Sequence, residues 1–119
     1  MKNINLTFKY LNKKLEIKVK KLSIFQKGIG LMFKFNPEKT DNLLFAFNKP
    51  LMRIIHSYFV FFNFLAVWTD ENNNVLECKI VKPFNLIIKP KNKFSKLVEI
   101  PLCKKNKNII NFFVEKRKI

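Results

Sequence analysis

A chain of 119 residues that is 48% hydrophobic and 27% charged, with 14 phenylalanines, has the length of one domain, enough apolar surface for a core and too much for a disordered segment. Two glycines, five prolines and two cysteines exclude a collagen-like chain, a low-complexity tract and a disulfide framework. A formal charge of +16 draws polyanions and makes such contacts salt-dependent.

The clearest pattern comes first. Leu6, Phe8 and Tyr10 alternate with Thr7 and Lys9, and Leu15, Ile17 and Val19 alternate with Glu16, Lys18 and Lys20. A period of two buries one face of a strand and wets the other. With Leu11–Lys14 between the runs and Asn12 the best turn former, this predicts a β-hairpin. Ser23 to Lys34 breaks the period: Ser23 is placed to cap a short helix, and Gly28 and Gly30 limit it to one or two turns. Residues 36–42 are a loop by composition. Leu43–Phe47 reads as a strand buried on both faces. Ile54–Trp68 is rich in aromatic and β-branched residues and predicts two strands with a break near Asn63. Asp70–Asn74 is a turn, and Val75–Val81 alternates again, giving a second hairpin with the strand that ends at Trp68. Phe84–Ile88 is a short apolar run. Phe94–Ile100 predicts a helical turn running into a strand that Pro101 closes. Ile109–Val114 is a last apolar run of open type, and 115–119 reads as a frayed basic tail. Short strands with frequent turns predict a single domain over 1–119. Its class is mainly β (α+β): a compact antiparallel β-sandwich or barrel with one or two short helices.

No apolar leader opens the chain, and Ile54–Trp68 is shorter than the ~20 apolar residues of a spanning helix. The expectation is a soluble, cytoplasmic protein, a monomer or weak dimer. The basic residues are 22 lysines and only two arginines, Arg53 and Arg117. Lysine is a mobile point charge, whereas arginine makes the bidentate phosphate and guanine contacts. Lys, Asn, Ile and Phe make up 64 of the 119 residues, all with A/T-rich codons, so genome bias accounts for much of the basic excess.

Gly30-Leu31-Met32-Phe33-Lys34, followed by a short loop and the apolar strand Leu43–Phe47, resembles the opening of the domain-of-unknown-function 192 family. His56–Phe62 resembles a strand of its archaeal branch. Val67-Trp68-Thr69-Asp70-Glu71 with Val75 resembles its strand, turn and strand. Lys82-Pro83-Phe84 resembles its Lys-Pro-aromatic step, and Lys96–Pro101 its late strand. The resemblance covers about residues 13–101 and implies a compact, mainly antiparallel, jelly-roll-like β domain with no established activity. Three departures mark a divergent member. Asn63, Phe64 and Leu65 stand where the family has Pro, an apolar residue and Asp. Leu102-Cys103-Lys104 replaces a Gly after Pro101, and Phe113-Val114-Glu115 replaces a late Gly-Asp step.

No residue pattern supplies a catalytic signature. His56, the one histidine, has no partner motif for general-base or zinc chemistry. Cys78 and Cys103 form no Cys-x-x-Cys pair, and Cys78 reads as a small hydrophobe on its strand. Gly28 and Gly30 are not followed by the third glycine of a dinucleotide loop. Glu99, between Val98 and Ile100, reads as a strand carboxylate facing water or a lysine. Phe59, Phe61, Phe62, Phe64 and Phe84 would serve as stacking platforms for bases if exposed, but aromatics at this density usually build a core.

The first functional reading is a binding or scaffold module without enzymatic activity, cofactor or metal, with a groove at Gly30, Met32, Phe33 and His56. The alternative is a nucleic-acid-binding domain using lysine-rich turns, with weak polyanion contacts at Lys82, Lys89, Lys91, Lys93 and Lys96. A third is a hydrolase or metal site at His56, which requires a carboxylate such as Glu99 or Asp70, or Cys78, beside it.

Overall fold

The computed structural model describes residues 2–22, 31, 34–55, 57, 59–85 and 88–117. The chain is mainly β. Strands β1 (Lys2–Tyr10) and β2 (Lys13–Lys21) form the first hairpin, paired from Lys2↔Lys21 to Tyr10↔Lys13. Its turn is Leu11-Asn12, with φ of 49° and 65°. Two successive left-handed residues match the right-handed twist of the strands. Asn tolerates that conformation, whereas Leu11 bears a steric cost of about 1–2 kcal/mol.

Strands β3 (Leu43–Leu51), β4 (Phe64–Thr69), β5 (Val75–Val81) and β6 (Phe94–Pro101) follow, and helix α1 (Lys107–Arg117) ends the fold. Short 3-10 turns stand at Pro37–Lys39, capped by the Asn36 side chain, and at Lys104–Asn106. The six strands make one sheet in the order β1-β2-β3-β6-β4-β5. Neighbours are antiparallel except β2 and β3, which meet in parallel through Lys20↔Leu43 and Lys21↔Leu44. That brief junction lets the hairpin swing across the sheet. The Lys9 amide then donates to Asn73 O at 2.9 Å beside the far strand, β5. The sheet is thus curled into a half-barrel.

Curling gives the sheet two faces with separate cores. The inner face encloses Leu6, Phe8, Ile17, Val19, Leu44, Leu65, Val67, Val98 and Ile100, closed by Phe113 of α1. Phe113 meets Phe8 edge-on at 5.1 Å, a favoured aromatic geometry. The outer face carries Leu43, Phe45, Phe64, Ala66, Trp68 and Leu97. No strand or helix among the described residues covers it. Instead Leu22, Leu31, Val60, Phe62 and Ile88, from the β2–β3, β3–β4 and β5–β6 connections, pack down on it. All six residues of β4 are buried, as expected for a strand with a core on each face.

Several expectations need adjustment. Only the last third of Ile54–Trp68, from Phe64 onward, is a strand among the described residues. Residues 52–55 and 59–62 are irregular apart from an Ile55↔Ile88 bridge, because the chain there folds around Ser57 (below). β6 is extended from Phe94 onward, with no helical turn. The open run Ile109–Val114 is helical and continues to Arg117. The turn of the second hairpin forms as read: the Asp70 carboxylate accepts from the Asn72 and Asn74 amides and from Asn74 Nδ2, each at 2.9 Å. Partial burial pushes that carboxyl upward, but these hydrogen bonds outweigh it and hold Asp70 below its ordinary value. The helix expected from Ser23 lies outside the described residues, save that Leu31 is buried. No helix among the described residues is long and apolar enough to cross a membrane.

Candidate functional site

The connections that roof the outer face are stitched together by one buried hydroxyl. Ser57 is fully buried. Its Oγ donates to Lys82 O at 2.6 Å and accepts from the Asn85 amide at 2.7 Å. Its backbone N–H donates to Asn85 O, and its carbonyl accepts from the amides of Phe84 and Val60. A serine buried this way has every polar atom satisfied. It locks the β3–β4 connection to the β5–β6 connection. Phe59 and Phe84, with φ of 60° and 58°, sit in the left-handed region as a consequence, which a non-glycine residue enters at a cost of about 1–2 kcal/mol.

The connections set three contacting phenylalanines at the surface. Phe35, Phe61 and Phe84 are 72%, 41% and 50% exposed. Phe35 stacks on Phe61 with centroids 4.7 Å apart and planes 22° from parallel. Phe84 meets Phe61 edge-on at 5.4 Å. Each ring comes from a different inter-strand connection. Exposed lysines flank them in the chain, Lys34 beside Phe35 and Lys82 two residues before Phe84. No carboxylate occurs between Asp41 and Asp70, nor anywhere in residues 82–93. The result is an exposed aromatic platform with cationic neighbours. Phe62 and Phe64 are core residues instead.

The other site residues separate. Gly30, Met32, Phe33 and His56 lie outside the described residues, so the groove and the carboxylate partner of His56 are not described. Lys89, Lys91 and Lys93 are exposed, and the Lys91 amide donates to Glu77 Oε2 at 2.6 Å. Lys96 is half-buried and donates to Asn73 Oδ1 at 2.7 Å. Burial, then the charge of Lys21, lower its pKa against the opposing pull of Asp70. A longer basic stretch is elsewhere. Residues 1–22 hold seven lysines and one carboxylate, Glu16. Lys9, Lys13 and Lys14 line an open groove of about 540 Å³ at the hairpin tip with Tyr10. Lys18, Lys20 and Lys105 line another of about 450 Å³ with Asn3, Asn5 and Asn42. In the second, Lys20 is paired with Asp41 at 3.0 Å.

Cys78 and Cys103 are half-buried thiols outside any disulfide, and no group of three His, Cys, Asp or Glu among the described residues could hold a metal ion. Glu99 departs from its expected place. It faces neither water nor a lysine but the outer core, opposite Leu43 on β3 and Ala66 on β4. Only 6% of it is exposed, and this burial pushes its carboxyl up to about 8. The alternation Val98-Glu99-Ile100 hid this, because β6 is a central strand with a core on both sides. The apolar partners of Leu97 through Pro101 were the available signal.

No family model and no curated protein matches the chain. Two solved structures share the fold. A protein of unknown function from Novosphingobium aromaticivorans has a TM-score of 0.71 at 13% identity, over 83% of this chain and 73% of its own. A candidate transcription regulator from Sinorhizobium meliloti has a TM-score of 0.66 at 13% identity, over 87% of this chain and 81% of its own. At that identity the likeness concerns the fold alone.

Proposed function

We propose that this chain is a non-catalytic domain that binds single-stranded nucleic acid on the Phe35–Phe61–Phe84 platform. The observation that carries the reading is the contact among three exposed rings from three connections, two of them tied by Ser57, with Lys34 and Lys82 close by in the chain. Exposed rings stack on unpaired bases of any kind, and mobile lysines neutralise the backbone. A base set of 22 lysines and two arginines neutralises phosphate without reading base edges. The binding is therefore sequence-tolerant. The similarity to a candidate transcription regulator is compatible with this reading and adds only the fold.

The same reading takes the chain as a divergent member of the domain-of-unknown-function 192 family. Its support is that the resembling segments fall on successive elements: Leu43–Phe47 in β3, Val67–Val75 across β4, its turn and β5, and Lys96–Pro101 in β6. Leu65, where the family has Asp, is fully buried in the inner core, so the family's acidic position is here a packing position.

A second reading, a scaffold for a protein partner, is favoured by Met52 and Ile54, which are also exposed on the β3–β4 connection. Fluorescence anisotropy with a labelled ~15-nucleotide oligo-dT at about 50 and about 200 mM KCl separates the two. Nucleic-acid binding predicts affinity that falls with salt. Phe61→Ala weakens it by about 1–3 kcal/mol, at least fivefold. Lys82→Ala flattens the salt slope by about 0.7. Affinity unchanged by Phe61→Ala, or equal affinity for duplex, overturns the platform.

A further inference from the structure

Strand β5 ends the sheet order on one side. It pairs with β4, and no described strand runs along its outer edge beyond Asn74, where Lys9 makes a single bridge before the first hairpin turns back. The Asp70 amide donates to Asn74 O, and on the β6 side the Leu102 amide donates to Asn63 O. Hydrogen-bonded pairs alternate along antiparallel strands. Phe64, Ala66 and Trp68 therefore bond to β5, and their partners Val81, Lys79 and Glu77 turn their amides inward. Cys78 and Ile80 turn theirs toward the outer edge. That edge also has apolar surface, since Leu76 and Ile80 are 38% and 40% exposed. Sheet edges are commonly guarded by lysines, which meet like charge when an identical strand approaches. The opposite edge, β1, fits that pattern, with Lys2 and Lys9 and no carboxylate.

β5 differs. Its sequence Val75-Leu76-Glu77-Cys78-Lys79-Ile80-Val81 sets complementary residues at equal distances on either side of Cys78. We propose that β5 is a homodimer edge, at which two copies of the chain pair antiparallel about a two-fold axis through Cys78 and continue one sheet across both. Glu77 then lies opposite Lys79 of the second copy, and Lys79 opposite its Glu77, so one strand generates two opposite-charge pairs. Leu76 meets Ile80, Val75 meets Val81, and Cys78 meets Cys78, apolar against apolar. An axis through Glu77 or Lys79 would instead set like charges face to face. The register shift on β5 falls at Leu76 and leaves Glu77–Val81 regular. The Glu77 carboxylate accepts from the Lys91 amide at 2.6 Å and has lone pairs left for a lysine. A single strand edge is a small interface, and each chain carries +16, so the dimer belongs to the weak, transient class. The inference is independent of the nucleic-acid reading, because β5 bears none of the platform rings.

Analytical ultracentrifugation of the full chain from about 5 to about 500 μM, in about 150 mM KCl to screen the repulsion between basic chains, tests the edge. A monomer–dimer equilibrium is expected. Glu77→Lys and Lys79→Glu each put two like-charged pairs across the axis, so either one alone weakens the dimer about tenfold. Mixing the two variants restores opposite charges at both pairs and brings back dimerisation as a heterodimer. Lys79 is exposed, so Lys79→Glu gives a folded chain even where Glu77→Lys, which loses the acceptor of the Lys91 amide, does not. A short bis-maleimide should join two copies through Cys78: Cys103→Ser keeps the crosslink and Cys78→Ser removes it. A chain that stays monomeric over the whole range overturns the proposal. So does a dimer that Lys79→Glu leaves at wild-type strength, or one that crosslinks through Cys103 instead.

Discussion

Replacing Glu99 by Gln tests the central strand most directly. The folded protein holds this carboxyl near pKa 8 against an ordinary value of 4.5, because burial disfavours its charged form. A carboxyl raised in this way costs nothing below its unfolded pKa. Its ionisation in the unfolded chain then draws stability away as pH climbs from about 4.5 towards 8. At pH 7 the protein stands two and a half units up that slope, and at 1.36 kcal/mol per unit the loss is about 3 kcal/mol; above the folded pKa it levels at about 5 kcal/mol. Glutamine does not titrate. The absolute stability of Glu99→Gln includes the cost of burying an unbonded carboxamide, but that cost does not vary with pH. The informative quantity is the difference between variant and wild type as a function of pH. All other titrating groups cancel from it. Urea unfolding followed by Trp68 fluorescence at about pH 5 and about pH 8 gives that difference. It should move by about 3–4 kcal/mol in favour of the variant between the two. A flat difference refutes the reasoning, because it means that the carboxyl is paired or solvated in the native state.

Other expectations follow from single positions. Leu11→Gly should stabilise the protein by about 1 kcal/mol, because the first turn holds Leu11 at positive φ; thermal unfolding measures it. Phe113→Ala removes a fully buried ring that closes the inner core and should cost about 3–5 kcal/mol in urea unfolding. Ser57→Ala should cost about 1–3 kcal/mol and also weaken oligonucleotide binding, since the tie between Lys82, Asn85 and the β3–β4 connection is lost. Normal binding by a destabilised Ser57→Ala variant would separate the platform from its tie.

The hairpins were legible because their chemistry is local. Leu6, Phe8, Ile17 and Val19 announce a period of two, and Asp70–Asn74 announces a turn whose carboxylate caps it. What failed was decided by distant partners. Ile54–Phe62 has strand composition, but its backbone is committed to Ser57 and its contacts across the β5–β6 connection, and β propensity yields to such context. Helix α1 showed a weak signal. Ile109, Phe112 and Phe113 fall at helical spacing, and all pack on the inner core, but six residues are too short a window to separate a helix from a strand. The binding surface was half legible. The sequence marks Phe59, Phe61, Phe62, Phe64 and Phe84 as stacking candidates, and only the fold decides that Phe59, Phe61 and Phe84 face water while Phe62 and Phe64 are buried.

The two faces of the sheet divide the work of the molecule. The inner face is apolar, enclosed by the hairpin and plugged by α1. The outer face holds an indole N–H without an acceptor among the described residues, the buried Glu99 carboxyl and, on the connections above them, the exposed rings and left-handed aromatic residues. Each of these features lowers stability on its own, and all lie on the same side. Costs placed on this face keep it adjustable, because the connections there carry few backbone ladders and open at lower free energy than paired strands. The inner core then bears the stability that the outer face gives up. It follows that substitutions confined to the inner face, such as those at Val67 or Ile100, alter stability with no effect on ligand affinity in the folded fraction. Substitutions at Ser57, which ties two of the connections that carry the exposed rings, change both.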